Sequence, residues 1–148
     1  MRVALDTNVL AYAEGIGSED KRDSTLKVLE ALDASSMVLP AQVLGELFRV
    51  LTGKAGRTAL EARAAVLSWA DGYPVAESTW SAFGAAFDLC ADHGLSVWDA
   101  LILSVAAEQQ CRVLLSEDLQ HGFTSRGVTV VNPYVASMHP LLEEILAV

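Results

Sequence analysis

Four acids in this sequence stand where a carboxylate can do chemistry. Asp6 follows the apolar run Val3-Ala4-Leu5 directly, with Thr7 and Asn8 behind it. Glu46 borders the apolar arc of a helical stretch, Asp99 opens a helix that is apolar nearly all round, and Asp118 follows Leu114-Leu115 through Ser116 and Glu117. The ends of buried strands and the starts of inward-facing helices meet at one edge of an open α/β sheet, the edge at which such folds bind ligands. Carboxylates crowded there repel one another and hold their protons more tightly unless a cation neutralises them. Oxygen ligands without Cys or clustered His select Mg²⁺ or Mn²⁺ over zinc. Such an ion polarises a retained water and offsets charge that develops on a phosphodiester.

Each acid also has a local explanation. Asp6 suits the N-cap of the helix that follows it. Ser96-Val97-Trp98-Asp99 has capping-box spacing, and Ser116-Glu117-Asp118 reads as a turn. Glu46 could be a solvated helix residue that pairs with Arg49. These explanations treat the residues one at a time and leave their shared edge unaccounted for.

The elements that must position the acids follow from hydrophobic pattern and punctuation. Val3-Ala4-Leu5 is a short strand, and Thr7 to Glu14 a short helix stopped at Gly15-Ile16-Gly17. Ser18 opens a helix that runs to about Ala34, with Leu26, Val28, Leu29 and Leu32 on its inner side. Met37 to Leu39 is the next strand. Pro40 then starts a helix over Ala41 to Thr52, whose Val43, Leu44, Leu47, Phe48, Val50 and Leu51 share one arc. Thr58 caps a helix over Ala59 to Ala70, and Asp71-Gly72 turns the chain into the strand Pro74-Val75-Ala76. Ser78 or Thr79 starts a helix that ends at Gly94, and Ser96 opens the next, apolar nearly all round from Ala100 to Ala107. Arg112 to Leu115 and Val128 to Val131 are strands, and Leu141 to Val148 is a terminal helix. Strands separated by helices of this length form a mostly parallel sheet covered on both faces. The fold class is α/β, with four to five short strands.

The 148 residues, 52% of them hydrophobic, are the size of one domain spanning 1–148 and can bury a real core. The formal charge of -9 argues against a broad basic face for nucleic acid or anionic membrane. Cys90 and Cys111 lack metal spacing and read as reduced core residues. With no signal-peptide pattern and no run long enough to span a bilayer, the expectation is a soluble cytoplasmic protein without a membrane partner. His93, His121 and His139 show no metal spacing. Apolar neighbours assign Trp69 and Trp80 to the core, while Trp98 beside Asp99 is open to stacking on a base.

Four segments together carry a family resemblance: Leu5-Asp6-Thr7-Asn8-Val9-Leu10, Val43-Leu44-Gly45-Glu46-Leu47, Trp98-Asp99-Ala100-Leu101-Ile102, and Leu114-Leu115-Ser116-Glu117-Asp118-Leu119-Gln120-His121-Gly122. In this order and spacing they resemble the PIN-domain ribonucleases, specifically the VapC-like toxins of bacterial toxin-antitoxin pairs. The resemblance implies a three-layer fold and a Mg²⁺- or Mn²⁺-dependent endoribonuclease that hydrolyses RNA phosphodiester bonds through metal-activated water. It matches Asp6, Glu46, Asp99 and Asp118 to the family's acidic quartet, holding one or two ions directly or through water. Thr7 or Asn8 and Ser116 match the polar residues that support the quartet, and Glu117 is a further candidate facing either metal or solvent. It also implies a homodimer and a cognate antitoxin whose C-terminal segment lies across the groove.

An RNA-cleaving protein of this charge needs local cations for the phosphate backbone. Arg49, Lys54, Arg57 and Arg63, which follow Glu46, and the pair Lys21-Arg22 are the candidates for RNA contact, against the alternative of a solvated face. Two other functions compete. A PIN-like module could serve only dimerisation and partner binding. An aspartate phosphotransferase could use Asp6 as acceptor, but that chemistry wants a second aspartate where this chain has Asn8, and a late lysine where the only lysines are Lys21, Lys27 and Lys54.

Overall fold

The computed structural model describes residues 1–147. The chain runs β1 (Val3–Leu5), α1 (Thr7–Ala13), α2 (Glu19–Ala31), β2 (Met37–Pro40), α3 (Ala41–Gly53), α4 (Ala59–Gly72), β3 (Val75–Ala76), α5 (Trp80–His93), α6 (Val97–Glu108), β4 (Val113–Leu115), β5 (Thr124–Ser125), β6 (Val128–Val131) and α7 (Pro140–Leu146). The six strands form one sheet in the order β3-β2-β1-β4-β6-β5. All neighbours are parallel except β5 and β6. The architecture is the α/β class that the pattern predicts.

The register of the two central strands places the candidate site. Leu5 pairs with Leu115 across β1 and β4, so the next residue on each strand, Asp6 and Ser116, leaves the sheet at the same edge. The Asp6 amide seals that exit by donating to the Leu115 carbonyl at 3.0 Å. Both strands are completely buried, as their unbroken apolar composition requires of strands covered on two faces. One cover is α6, buried from Ala100 to Ala106. That burial fixes its first turn, and Asp99 with it, against the sheet. α3 begins immediately after β2 and buries Val43, Leu44, Leu47 and Leu51, which leaves Glu46 on the border of its inward face.

Four local features differ from the sequence expectations. β5 is a sixth strand, two residues long and joined to β6 through Arg126 (φ 50°) and Gly127 (φ 83°). Such a ribbon is too short to leave an alternating pattern, and its signature is only the glycine of a turn with two positive φ angles. α2 stops at Ala31, because Leu32 becomes extended and a short 3₁₀ turn at Ala34–Ser36, capped by Asp33, takes over. α4 absorbs Asp71 and Gly72, so the reversal into β3 falls at Tyr73. Trp80 is 79% exposed. Its position on α5 faces solvent beside Phe83 and Phe87 rather than the core.

Trp69 is half-buried and stacks on Tyr73. Cys90 and Cys111 are free thiols, and burial pushes the Cys111 thiol up to about 11. No described helix is long and apolar enough to cross a membrane. The predicted terminal helix is present as α7, and its expected last residue, Val148, lies outside the described residues.

Candidate active site

Asp6 is both a helix cap and the buried centre of a polar cluster. It is 3% exposed. One carboxylate oxygen, Oδ1, accepts from the Thr7 amide at 2.7 Å at the start of α1. The other, Oδ2, accepts from Ser116 Oγ at 2.6 Å and from Asn8 Nδ2 at 3.4 Å. Burial drives its pKa up to about 6. The Ser116 hydroxyl and Thr7 amide oppose that rise, and the Asp118 and Asp99 charges add to it.

Asn8 and Ser116 tie this cluster to the turn that carries Asp118. Asn8 Nδ2 also donates to Asp118 Oδ2 at 3.1 Å, while Asn8 Oδ1 accepts from the Glu117 amide at 3.1 Å. Ser116 Oγ accepts from the Asp118 and Leu119 amides at 3.2 and 3.3 Å. With its hydroxyl donating to Asp6 and accepting from the turn, Ser116 joins β1 to the segment beyond β4 and is itself completely buried.

Glu46 approaches from α3. Its Oε2 accepts from Thr7 Oγ1 at 2.6 Å and its Oε1 from Gln42 Nε2 at 2.8 Å. Gln42 stands one helical turn before Glu46, and its amide also donates to the Trp98 carbonyl at 3.2 Å. It therefore spans the gap between α3 and the first turn of α6. Both Nε2 partners are acceptors, which fixes the orientation of the amide and leaves Gln42 Oε1 buried without a partner among the described residues.

Asp99 completes the group. Ser96 Oγ accepts from its amide at 3.2 Å, the cap expected from the sequence. At α4 the reciprocal arm of such a box is formed by Glu61 on Thr58; at α6 the Asp99 carboxylate does not form it. Burial raises its pKa, the Ser96 hydroxyl opposes this, and the charges of Asp118 and Glu46 raise it further. Asp99 thus feels the charges of Asp118 and Glu46, as Asp6 feels those of Asp118 and Asp99.

A cavity of about 280 Å³ opens beside the acids, lined by Glu46 and Asp118 with Thr7, Asn8, Tyr12, Arg49 and Lys54 among others, while Asp6 and Asp99 do not line it. A larger one, of about 460 Å³, lies around Met1, Asp33 and Glu144. It begins at the other end of β1, away from the acid group. Among the described residues, no three His, Cys, Asp or Glu side chains are grouped closely enough to hold a metal ion. The groups at the smaller cavity able to ligate a metal are the oxygens of Glu46, Asp118, Thr7 and Asn8, a chemistry that suits Mg²⁺ or Mn²⁺ with waters completing the coordination shell.

The remaining candidates separate. Arg49 and Lys54 line the cavity, and neither joins an ion pair among the described residues. Arg57 is held elsewhere, with Nη1 on Glu14 Oε1 at 2.6 Å and Nη2 on the Glu14 carbonyl at 2.9 Å. Glu117 turns away from the acids to Lys21, whose Nζ is 2.5 Å from Oε2, and to the Tyr12 hydroxyl. Burial pushes its carboxyl up, but the Lys21 and Tyr12 donors outweigh that and hold it below the usual range. Lys21 also sits 4.9 Å from the Tyr12 ring centre, within cation–π range. His121 accepts from the Asn132 amide and His139 caps α7. Sequence reasoning missed Gln42 and Tyr12. The spacing of Gln42 to Glu46, one helical turn, was the available signal for the first; for Tyr12 there was none.

The parallel sheet and the acid-lined crevice at its carboxyl edge define a known class. The sequence model of the PIN domain matches residues 3–124. The chain belongs to the PIN domain family. Its fold is similar to that of VapC20 of Mycobacterium tuberculosis, described as a sarcin-ricin loop cleaving toxin, at 17% identity and TM-score 0.63 over 78% of this chain and 91% of that one. A toxin-antitoxin complex from Klebsiella pneumoniae is similar at 19% identity and TM-score 0.67, covering 89% of this chain and 98% of that one. VapBC2 of Rickettsia felis, bound to a fragment of its promoter DNA, is similar at 19% identity and TM-score 0.60, over 80% of this chain and 89% of that one. No curated protein sequence matches this one.

Proposed function

We propose that this protein is a metal-dependent endoribonuclease, the toxin of a toxin-antitoxin pair. The observation that carries the reading is the gathering of Asp6, Glu46 and Asp118 by one hydrogen-bond network at the sheet edge, with Asp99 within electrostatic reach of them. These carboxylates would hold a Mg²⁺ or Mn²⁺ ion, partly through water, and the bound ion would supply a nucleophilic water and charge neutralisation at the phosphodiester.

The chain's own residues do the rest. Ser116 and the Thr7 amide keep the Asp6 oxygens aimed. Asn8 spaces Asp6 from Asp118, contributing a donor where two acids would otherwise meet. Thr7 and Gln42 fix both oxygens of Glu46. Arg49 and Lys54, on the cavity wall, are the cations placed to meet the RNA phosphate backbone. The occupied Asn8 side chain also removes the residue an aspartate phosphotransferase would need.

The toxin-antitoxin assignment draws on the similar structures, two of which are toxin-antitoxin complexes. A protein antitoxin covering the crevice and a homodimeric, cytoplasmic toxin complete the proposal. The test uses purified antitoxin-free protein, Mn²⁺ and total cellular RNA. Cleavage is expected, with loss of at least about a hundredfold in Asp6→Asn and in Asp99→Asn while circular dichroism and unfolding midpoints stay native-like. A wild-type protein that leaves RNA intact across Mg²⁺ and Mn²⁺ concentrations would sink the reading in favour of a non-catalytic PIN module.

A further inference from the structure

Beside the acid group lies a second cavity, of about 390 Å³, lined by Gln42, Gly45, Glu46, Arg49 and Trp98. Glu46 and Arg49 line both cavities, so the two share a wall. Trp98 is 57% exposed although it stands in the first turn of the most deeply buried helix. No ring among the described residues pairs with its indole, in contrast to Trp69 and Trp80, which pack on other aromatics. The Trp98 backbone is nevertheless held, because Gln42 ties its carbonyl to Glu46. The site is therefore an exposed ring on a fixed anchor. Gly45 leaves the cavity floor open, since a Cβ there would meet no atom within 4 Å.

We propose that this cavity is a stacking subsite for the unpaired RNA base that flanks the phosphodiester held at the acids, with Trp98 as the platform and Arg49 bridging base and backbone. The inference rests on the ribonuclease reading and specifies how that site recognises its substrate. A nucleotide joins a flat apolar base to an anion across a short sugar, and the structure offers a flat apolar ring, then a cation, then the acid cavity in the same succession. Base stacking on an aromatic side chain needs no particular sequence, because every base has a π-face. The cation is conspicuous in a chain of net charge -9. The subsite thus selects single-stranded or looped RNA, since a base within a duplex is already stacked on its neighbours.

The experiment uses full-length protein with Mn²⁺ and a fluorescein-labelled single-stranded RNA of mixed sequence in which one abasic nucleotide is walked along the strand. In the wild type, one position beside the cut is expected to raise KM about tenfold when abasic, with kcat little changed. Trp98→Leu is expected to raise KM for the intact RNA by a similar factor and to silence the abasic effect at that position. Trp98→Phe should recover most of the loss, and Trp80→Leu should behave as wild type. Persistence of the abasic effect in Trp98→Leu, or unchanged KM in that variant, overturns the subsite even if RNA cleavage is intact. A Trp98→Leu defect confined to inhibition by a protein antitoxin overturns it in favour of a peptide-binding role. Absence of wild-type cleavage overturns the ribonuclease reading itself.

Discussion

Ser116 Oγ donates to Asp6 Oδ2 at 2.6 Å, joining residues 110 apart in sequence. The contact follows from strand register: Leu5 and Leu115 are paired, so the residues after them emerge side by side. A buried carboxylate in this position is tolerated because its hydrogen-bond donors are preset.

Ser116→Ala removes one of those donors and, with it, the acceptor for the Asp118 and Leu119 amides. Loss of a buried, charge-assisted hydrogen bond should lower stability by about 2 kcal/mol. Urea unfolding of the metal-free protein measures it, and a change under about 0.5 kcal/mol would mean that the bond contributes little.

The Asp6 carboxyl keeps its proton up to about pH 6 in the folded protein against an ordinary value of 3.8. Between those values the folded state binds more protons than the unfolded state, so stability of the metal-free protein falls as pH rises through that window and levels off above it. The upward shift corresponds to about 3 kcal/mol in total, and Asp99 shifts in the same direction. Urea midpoints at about pH 4.5 and about pH 7.5 should show a clear loss at the higher pH. Asp6→Asn should remove most of the slope, and Mn²⁺, which favours the ionised carboxylates, should flatten it.

Arg49 and Lys54 should behave differently from Arg57. Arg49→Gln and Lys54→Gln are each expected to weaken RNA binding at all sequences and to reduce the salt dependence of log K by about one unit of slope. Arg57→Met breaks a half-buried ion pair and a bond to the Glu14 carbonyl. It should cost about 1 to 2 kcal/mol of stability and leave the salt slope alone. Binding titrations at several salt concentrations, alongside unfolding curves, separate the two effects.

The Cys111 thiol is 3% exposed and its pKa is pushed up to about 11. A thiol that is neither ionised nor accessible does not alkylate. Native protein at about pH 8 should leave Cys111 unmodified by iodoacetamide and take up label there only in urea. Peptide mass analysis distinguishes it from Cys90.

The sequence by itself determined the strands that lie at the centre, the helix that is buried all round, and the places of the four acids along the chain beside them. Such features are local: Val3-Ala4-Leu5 and Val113-Leu114-Leu115 are apolar without interruption, and burial on both faces leaves few other ways to hide them. The capping role of Asp6 and the apolar arc around Glu46 belong to this legible part. Tertiary structure alone decided where the long polar side chains go. Lys21 reaches Glu117 and Arg57 reaches Glu14 across 96 and 43 residues, contacts that leave no periodicity in the chain. It also decided that Trp80 faces solvent while Ala82 and Ala86, on the same helix, are completely buried. A helix that carries apolar residues on several faces can bury only the one its neighbours cover, and the neighbours are assembled by the fold.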